Sequence, residues 1–431
     1  MNRLLVSAAH KSSGKTTVSA GLCAALVDRG EVVQPFKKGP DYIDPMWLRL
    51  ATGRRCYSLD PYLMDDAALM RLVGQGVTGA SMALIEGNKG LFDGLSLDGS
   101  NSNAAVARSL GAPVLLVLDS RGMTRGVAPL ILGYQAFDRG LHIGGVVLNR
   151  VGGSRHEAKL RAVIEHYTSV PVLGALGEDP RLTLTERHLG LVTSGEVDGA
   201  AERVRTIGRI VGAQVDLDRV RDLARRAGPW ALPAKGGAVP QPPSTVRIGI
   251  ARDRAFSFYY DDDLQALESA GAQLIPIDTL HDTRLPPLDG LFVGGGFPEA
   301  CLSELAANGA LRAALRHAVE SGLPTYAECG GLMLMARGIR WRDRWAPMVG
   351  AVPGDAVMHE RPVGRGYVHL RASVHHPWAE PGSVLRGHEF HHSALENLAP
   401  DAAFAYQVER GHGVDGLQAV ETQDGNIQRK A

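Results

Sequence analysis

Short apolar runs alternate along the chain with longer segments whose apolar residues recur at helical spacing. The first run, RLLVSA at 3–8, passes through a glycine-containing loop into TTVSAGLCAALVDRG, which predicts a helix closed by Gly30. Further strand-length runs stand at 31–37, 82–87, 113–120, 143–151 and 170–176. They are apolar throughout rather than alternating. This predicts strands covered on both faces, and the helical segments between them predict a parallel sheet. The pattern breaks at AGPWALPAKGGAVPQPPSTV (227–246), which is rich in Pro and Gly, sparsely charged and aperiodic; it predicts a linker. Alternation resumes with strands expected at 246–253, 272–278, 288–296 and 323–331 and helices between them. From about 340 onward Trp, His and Pro become more frequent, and strands and loops are expected. The predicted class is α/β, with two doubly wound domains, 1–227 and 246–431, joined by a linker at 228–245.

A chain of 431 residues has room for two or three such domains. Its 46 basic and 46 acidic residues cancel, which removes any global electrostatic drive toward nucleic acid or an anionic membrane. The longest apolar stretches, such as PVLLVL at 113–118, are far shorter than a bilayer span. None of the four cysteines, Cys23, Cys56, Cys301 and Cys329, forms a C-x-x-C pair, so neither a zinc knuckle nor a disulfide framework is suggested. The N-terminus reads as a strand rather than a cleaved leader. A cytoplasmic protein with no nucleic-acid or membrane partner is expected.

The first loop carries the first chemistry. AHKSSGKTT (9–17) lies between a predicted strand and a predicted helix, the context of a phosphate-binding P-loop. Backbone N–H groups over Ser13, Gly14 and Thr17 would cradle phosphates. Lys15 would reach the terminal phosphates, and the Thr16 hydroxyl would sit on Mg2+. Ala9 stands where the usual pattern has its first Gly. His10 occupies the position of the signature lysine of partition-type ATPases, which weighs against that class. Two acid-bearing segments follow strands: KKGPDYIDP (37–45), with Asp41 and Asp44, and EGNKGLFDG (86–94), with Glu86 and Asp93. Carboxylates at strand C-termini face the crevice where α/β sheets bind ligands. Thr16, Asp41 and Glu86 are the expected Mg2+ set, and Asp41 and Asp93 the expected catalytic acids.

The second half holds a candidate nucleophile. In TYAECGGLMLM (325–335), Cys329 lies between a strand and an apolar helix, with two glycines behind it. Such a turn exposes a thiol, and a helix N-terminus is expected to lower its pKa. The glycine loop VGGGFPEA (293–300) could supply oxyanion amides, with Gly295 and Gly296 as candidates. A cysteine nucleophile also needs a base, and His369, His375, His376, His388, His391 and His392 all lie downstream. RGHEFHHSALEN (386–397) matches the zinc-peptidase pattern H-E-x-x-H literally. However, Gly387 precedes it directly, Pro381-Gly382 lie just upstream, and no convincing third ligand follows.

Taken in order, AHKSSGKTT, QPFKKGPDYIDP, EGNKGLFDG, GVVLNRVGGSRH, RHLGLV, ARDRAFSFYYDDD, GGGFPE, TYAECGGLM and GHEFHHS resemble the cobyrinic acid a,c-diamide synthase family. That resemblance implies a P-loop domain related to dethiobiotin synthetase, joined to a class I glutamine amidotransferase domain. It implies ATP and Mg2+ as cofactors, and a tetrapyrrole dicarboxylate and L-glutamine (or ammonia) as substrates. An acyl phosphate would form on an acetate side chain, and ammonia released by Cys329 through a thioester would attack it. The resemblance also places Lys37 near the reacting groups and Asn149 at the adenine. A homodimer is the expected assembly.

Two departures stand out. GSNSNAAVAR (99–108) and EGNKG replace motifs closer to GSTADLAK and EGVMG, and these changes resemble the branch that amidates sirohaem or sirohydrochlorin. Family members also end on a motif similar to GN-x-x-ASY-x-H-x-H, whose histidine activates the cysteine, where this sequence reads DGNIQRKA (424–431). This leads to an expectation of weak or absent glutaminase activity with ammonia-dependent amidation retained, and to His391 or His392 as substitute bases. A P-loop ATPase with an inactive amidotransferase domain is the competing reading.

Overall fold

The computed structural model describes residues 1–184, 186–187, 190–191, 193, 197, 199–228, 246–413, 418–421 and 427–429. The chain divides into two compact units: residues 1–239 with Tyr260–Asp262, and residues 240–259 with 263–431. Apart from Gly228, the expected linker at 228–245 falls outside the described residues.

The first unit is built on a seven-stranded parallel sheet. In chain order its elements are β1 (Asn2–Ala8), α1 (Lys15–Asp28), β2 (Val33–Lys38), α2 (Ile43–Thr52), β3 (Tyr57–Leu59), α3 (Asp66–Gly76), β4 (Met82–Glu86), α4 (Asn103–Ser109), β5 (Val114–Asp119), α5 (Val127–Phe137), β6 (Ile143–Val151), α6 (Ser154–Tyr167) and β7 (Val172–Gly177). Helices α7 (Ala200–Gln214) and α8 (Leu217–Arg225) follow. The strand order is β3-β2-β4-β1-β5-β6-β7. All six apolar runs of the first half become strands; the short edge strand β3 is the one the pattern did not mark. Strands β2, β4 and the sheet-facing part of β1 are buried throughout because helices cover both faces. On one face α1 packs tightly against α7: a side chain at Gly21 would collide with Val211, 2.4 Å away. Because all strands are parallel, their C-terminal ends collect Ala8, Lys38, Glu86, Asp119 and Val151 along one edge of the sheet. The loops that follow that edge hold the candidate chemistry.

The second unit joins a parallel half-sheet to antiparallel ribbons. Strands Ala272–Ile277, Val246–Ala251, Gly290–Val293 and Thr325–Glu328 run parallel in that order, followed by the parallel strand Ile427–Arg429. Beyond it the sheet turns antiparallel and ends at the edge strand Val384–His391. A four-stranded sheet holds Gly338–Trp341, Arg344–Pro347, Asp355–Met358 and Ser393–Glu396. The apolar core lies between the parallel strands and helices Leu302–Ala307, Gly309–Glu320 and Gly330–Met335. No described helix is long and apolar enough to cross a membrane.

Candidate active sites

The P-loop runs between β1 and α1. Gly14 takes a left-handed φ of 86°, and a Cβ there would fall 2.2 Å from Asn149 Nδ2, so glycine is required twice over. Ala9 has no such conformation, which explains why a side chain is tolerated where the usual pattern has Gly. Buried Ser13 fastens the loop by donating its hydroxyl to the His10 carbonyl at 2.8 Å. Asn149, at the end of β6, donates to the Ser13 carbonyl at 2.9 Å, so its amide braces the P-loop from below. Thr17 lies half-buried on the first turn of α1.

Below the loop is a buried cluster of charge. The Thr16 hydroxyl stands 2.8 Å from Glu86 Oε1 and 3.1 Å from Asp44 Oδ2. Lys37 Nζ donates to Glu86 Oε1 at 2.9 Å and to Asp44 Oδ2, and lies 3.7 Å from Asp41 Oδ2. The sequence pointed to Asp41 as the metal ligand, but the structure gives the contact with Thr16 to Asp44. Asp41 Oδ1 instead accepts the N–H groups of Ile43 and Asp44, each at 3.0 Å, at the start of α2. Burial, with Asp44 beside it, raises the Asp41 pKa to about 6. Burial raises Glu86 to about 7 against the pull of Lys37. Lys37 itself is held well above the usual lysine value, because Asp44, Glu86 and Asp41 outweigh its own burial. Three carboxylates thus confront one fully engaged lysine. Glu86 is wholly buried, and its Oε2 has no hydrogen-bond partner among the described residues. An orphaned buried carboxylate oxygen beside a P-loop hydroxyl is the donor set a hard divalent cation takes, with phosphate and water oxygens completing its shell. Thr16, Glu86 and Asp44 could hold Mg2+.

Lys15 is 7 % exposed and has no hydrogen-bond or ion-pair partner among the described residues. Burial and the neighbouring Lys37 lower its pKa to about 8. Asp93 Oδ2 accepts the Gly90 N–H at 2.9 Å and acts on Lys15 electrostatically.

Asn103, at the start of α4, explains the two departures in the first unit. Its Nδ2 donates to Asn88 O at 2.6 Å, Gly90 O at 2.8 Å and Ser7 Oγ at 3.1 Å, and its Oδ1 accepts the Asn88 N–H at 2.9 Å. Asn103 from GSNSNAAVAR therefore clamps the backbone of EGNKG, and Lys89 between the clamped residues has φ 49°. The sequence held no local signal for this pairing, which spans fifteen positions. Asn103→Ala is expected to lower stability by about 2–4 kcal/mol, since it strands several buried backbone groups. Urea denaturation checks it; a loss below about 1 kcal/mol would mean that the loop holds itself.

In the second unit Cys329 has φ 49° and ψ −114°, a strained turn for a residue with a side chain. Glycines packed around it permit it. A Cβ at Gly331 would fall 2.1 Å from Val293 O, and one at Gly295 would fall 3.2 Å from Cys329 Cβ. The Gly330 and Gly296 N–H groups lie beside the sulfur and draw its pKa down. Gly296 was anticipated as an oxyanion donor, whereas Gly330, directly after the nucleophile, was not. Gly295 and Gly296 both lie in a short antiparallel pairing, opposite Phe258 and Phe256. The Tyr259 hydroxyl accepts the Gly294 N–H at 2.9 Å and fixes the glycine loop, a role the sequence reading missed.

Two expectations about the thiol need correction. The helix after it has only six residues, and burial, followed by the Glu328 carboxylate, pushes Cys329 up to about 12 rather than down. His391 was a candidate base, but Val384–His391 is the edge strand of the nine-stranded sheet, five positions from the strand Thr325–Glu328 that leads into Cys329. The two ring nitrogens of His391 face Ser393 O at 2.7 Å and Glu389 Oε2 at 3.5 Å. His392 turns Nδ1 toward His359 O at 3.2 Å. The segment also forms no zincin helix: His388 lies on the strand Val384–His391 and His392 just past its end, and burial lowers His388 to about 4. Of DGNIQRKA, residues 424–426 and 430–431 lie outside the described residues.

Comparison with known proteins adds independent information. Residues 5–192 match the CobQ/CobB/MinD/ParA nucleotide binding domain, and residues 247–431 match the CobB/CobQ-like glutamine amidotransferase domain. The chain is 46 % identical over 419 residues to a cobyrinate a,c-diamide synthase of Magnetococcus marinus, covering 96 % of this chain and 90 % of that one. It is 40 % identical over 447 residues to the cobyrinate a,c-diamide synthase of Methanosarcina acetivorans, covering 96 % and 88 %.

Proposed function

This chain belongs to the cobyrinate a,c-diamide synthase family, and on that premise we propose that it amidates the a- and c-acetate carboxylates of a cobyrinate- or hydrogenobyrinate-type tetrapyrrole. ATP would convert each acetate into an acyl phosphate, and ammonia from glutamine would displace the phosphate. The observation that carries the ATP half is the Thr16–Glu86–Asp44–Lys37 cluster beside Lys15, which has no partner among the described residues.

Phosphoryl transfer needs positioning and charge neutralisation more than covalent help from the protein. Lys15 and the loop amides would take the nucleotide phosphates, which supply the anion that Lys15 lacks. Lys37, fully engaged by its carboxylates, would hold Asp44 and Glu86 in place beside the transferring phosphate. Asp93 would keep the Gly90 turn and Lys15 in register. Mg2+, when bound at Thr16, Glu86 and Asp44, supplies neutralisation of phosphate charge. In the second unit the Cys329 sulfur would attack the glutamine carboxamide carbon, with the developing oxyanion on the Gly296 and Gly330 N–H groups. Loss of ammonia would leave a thioester for water to hydrolyse.

A second substrate reading, sirohaem or sirohydrochlorin, is favoured by one observation. EGNKG and GSNSNAAVAR depart together, and Asn103 binds them into one structural unit. Mass spectrometry of reactions containing ATP, Mg2+ and ammonia or glutamine, over cobyrinate, hydrogenobyrinate, sirohydrochlorin and sirohaem, separates the readings. Two successive carboxylate-to-amide replacements are expected on cobyrinate. Products confined to the sirohydrochlorin pair would move the assignment to that macrocycle, and ATP hydrolysis without any amide would overturn both.

A further inference from the structure

Three lysines are buried among the described residues: Lys15, Lys37 and Lys38, at 7 %, 1 % and 5 % exposure. A buried ammonium needs an anion or a hydrogen-bonding shell, because desolvation without compensation costs several kcal/mol. Lys37 has its shell in Asp41, Asp44 and Glu86. Lys15 has none, and the phosphates of the proposed nucleotide account for that. Lys38 also has no hydrogen-bond or ion-pair partner among the described residues, and nothing in the nucleotide site accounts for it.

Its surroundings are short of negative charge. Successive residues of β2 point to opposite faces of the sheet, so Lys38 points away from the side where Lys37 meets Asp44 and Glu86. The charges that act on Lys38 are Asp60, beyond ion-pair distance, and two further cations, Lys89 and Lys37. Burial, with those cations, lowers its pKa to about 8. Lys89 is exposed at the tip of the 88–90 turn and is held there at positive φ by the Asn103 clamp. The neighbouring Gly39, at φ 86°, leaves room beside β2 for the Asn88 amide, whose Nδ2 would lie 3.2 Å from a Cβ there. The C-terminal ends of β2 and β4 therefore present two cations and an amide, adjacent to the proposed phosphoryl-transfer site and outside it.

We propose that Lys38 and Lys89 anchor a substrate carboxylate that does not react, so that the acetate being phosphorylated is held at a fixed offset from a second peripheral acid of the macrocycle. This rests on the tetrapyrrole reading above. A polycarboxylate ligand brings several acids on one rigid frame. Fixing one of them selects which acetate meets the phosphate, and monocarboxylates lack the second grip.

The test is steady-state kinetics of the full chain, wild type against Lys38→Met and Lys89→Gln, with cobyrinate and sirohydrochlorin varied at saturating ATP and ammonia, and with ATP varied in turn. Wild-type turnover of at least one macrocycle is the control: its absence would sink the tetrapyrrole reading itself. Given that turnover, each variant is expected to raise the macrocycle KM about 10- to 100-fold, with the KM for ATP and kcat nearly unchanged. Lys38→Arg should recover part of the loss. The thermal midpoint of Lys38→Met should stay unchanged, because the Lys38 ammonium makes no hydrogen bond or ion pair among the described residues, which separates lost binding from lost folding. Lys89→Gln lies on the surface and provides a second variant that folds. An unchanged macrocycle KM would overturn the proposal. So would an equal rise in the ATP KM, which would assign Lys38 to phosphate, or a fall in kcat alone, which would assign it to the reacting acetate.

Discussion

Glu86→Gln is expected to cut ATP-dependent amidation about a thousandfold, whether ammonia or glutamine supplies the nitrogen. Glu86 is the fully buried carboxylate of its cluster, and its two oxygens have different surroundings. Oε1 is shared by Thr16 and Lys37, while Oε2 has no partner among the described residues. The substitution keeps the shape and one oxygen but removes the charge that a divalent cation needs. The same change should not destabilise the ligand-free protein, because Lys37 keeps Asp44 and a buried, half-satisfied carboxylate has been removed. A thermal melt alongside the rate assay therefore distinguishes the two roles. Loss of rate with an unchanged or higher midpoint supports a metal and phosphate role. Equal loss of both would mean that Glu86 is a structural partner of Lys37. Raising Mg2+ should recover part of the variant's activity, since a weakened site is filled by mass action.

The parts of this site that local sequence encodes were legible, and the parts that depend on tertiary approach were not. The apolar runs marked the principal strands of the first unit, because a strand buried on both faces must be apolar on both. The P-loop was legible because its function is executed by contiguous residues. Asp41 and Asp44 were both visible in DYIDP, but choosing between them depends on where α2 begins. The helix start uses Asp41 to satisfy its first N–H groups and turns Asp44 toward Thr16. Asn103 gave no signal, because its neighbours in sequence describe only a helix start, with Ser102 accepting from Ala105. Its four hydrogen bonds reach back to β1 and the turn after β4. Lys38 was hidden by its neighbour: two adjacent lysines read as one basic spot until the strand's alternation sends them to opposite faces. The Cys329 pKa was misjudged in sign, because a short helix N-terminus cannot offset burial next to Glu328.

Cys329→Ala is expected to abolish glutamine-supported amidation and leave ammonia-supported amidation unchanged, since the thiol belongs to the nitrogen-donor chemistry alone. The residual glutamine rate should fall to background, measured as glutamate released and as amide formed. Loss of both activities would instead mean that the turn at Cys329 supports the fold. The protonation state of the thiol sets the size of the wild-type signal. With the pKa pushed up to about 12, the thiol is almost wholly protonated at pH 7, and its thiolate fraction grows about tenfold for each unit that the pH rises toward that value. Alkylation of Cys329 by iodoacetamide should therefore be slow at pH 7 and accelerate about tenfold per unit through pH 9. A plateau near the ordinary thiol value would show that a base or cation acts on the sulfur. Until bound glutamine or such a group draws the proton away, glutamine-driven turnover at neutral pH should remain well below the rate with saturating ammonia. The ratio of those two rates, followed as pH rises, should increase. A ratio that is flat from pH 7 to 9 would show that the resting protonation of Cys329 does not limit nitrogen delivery.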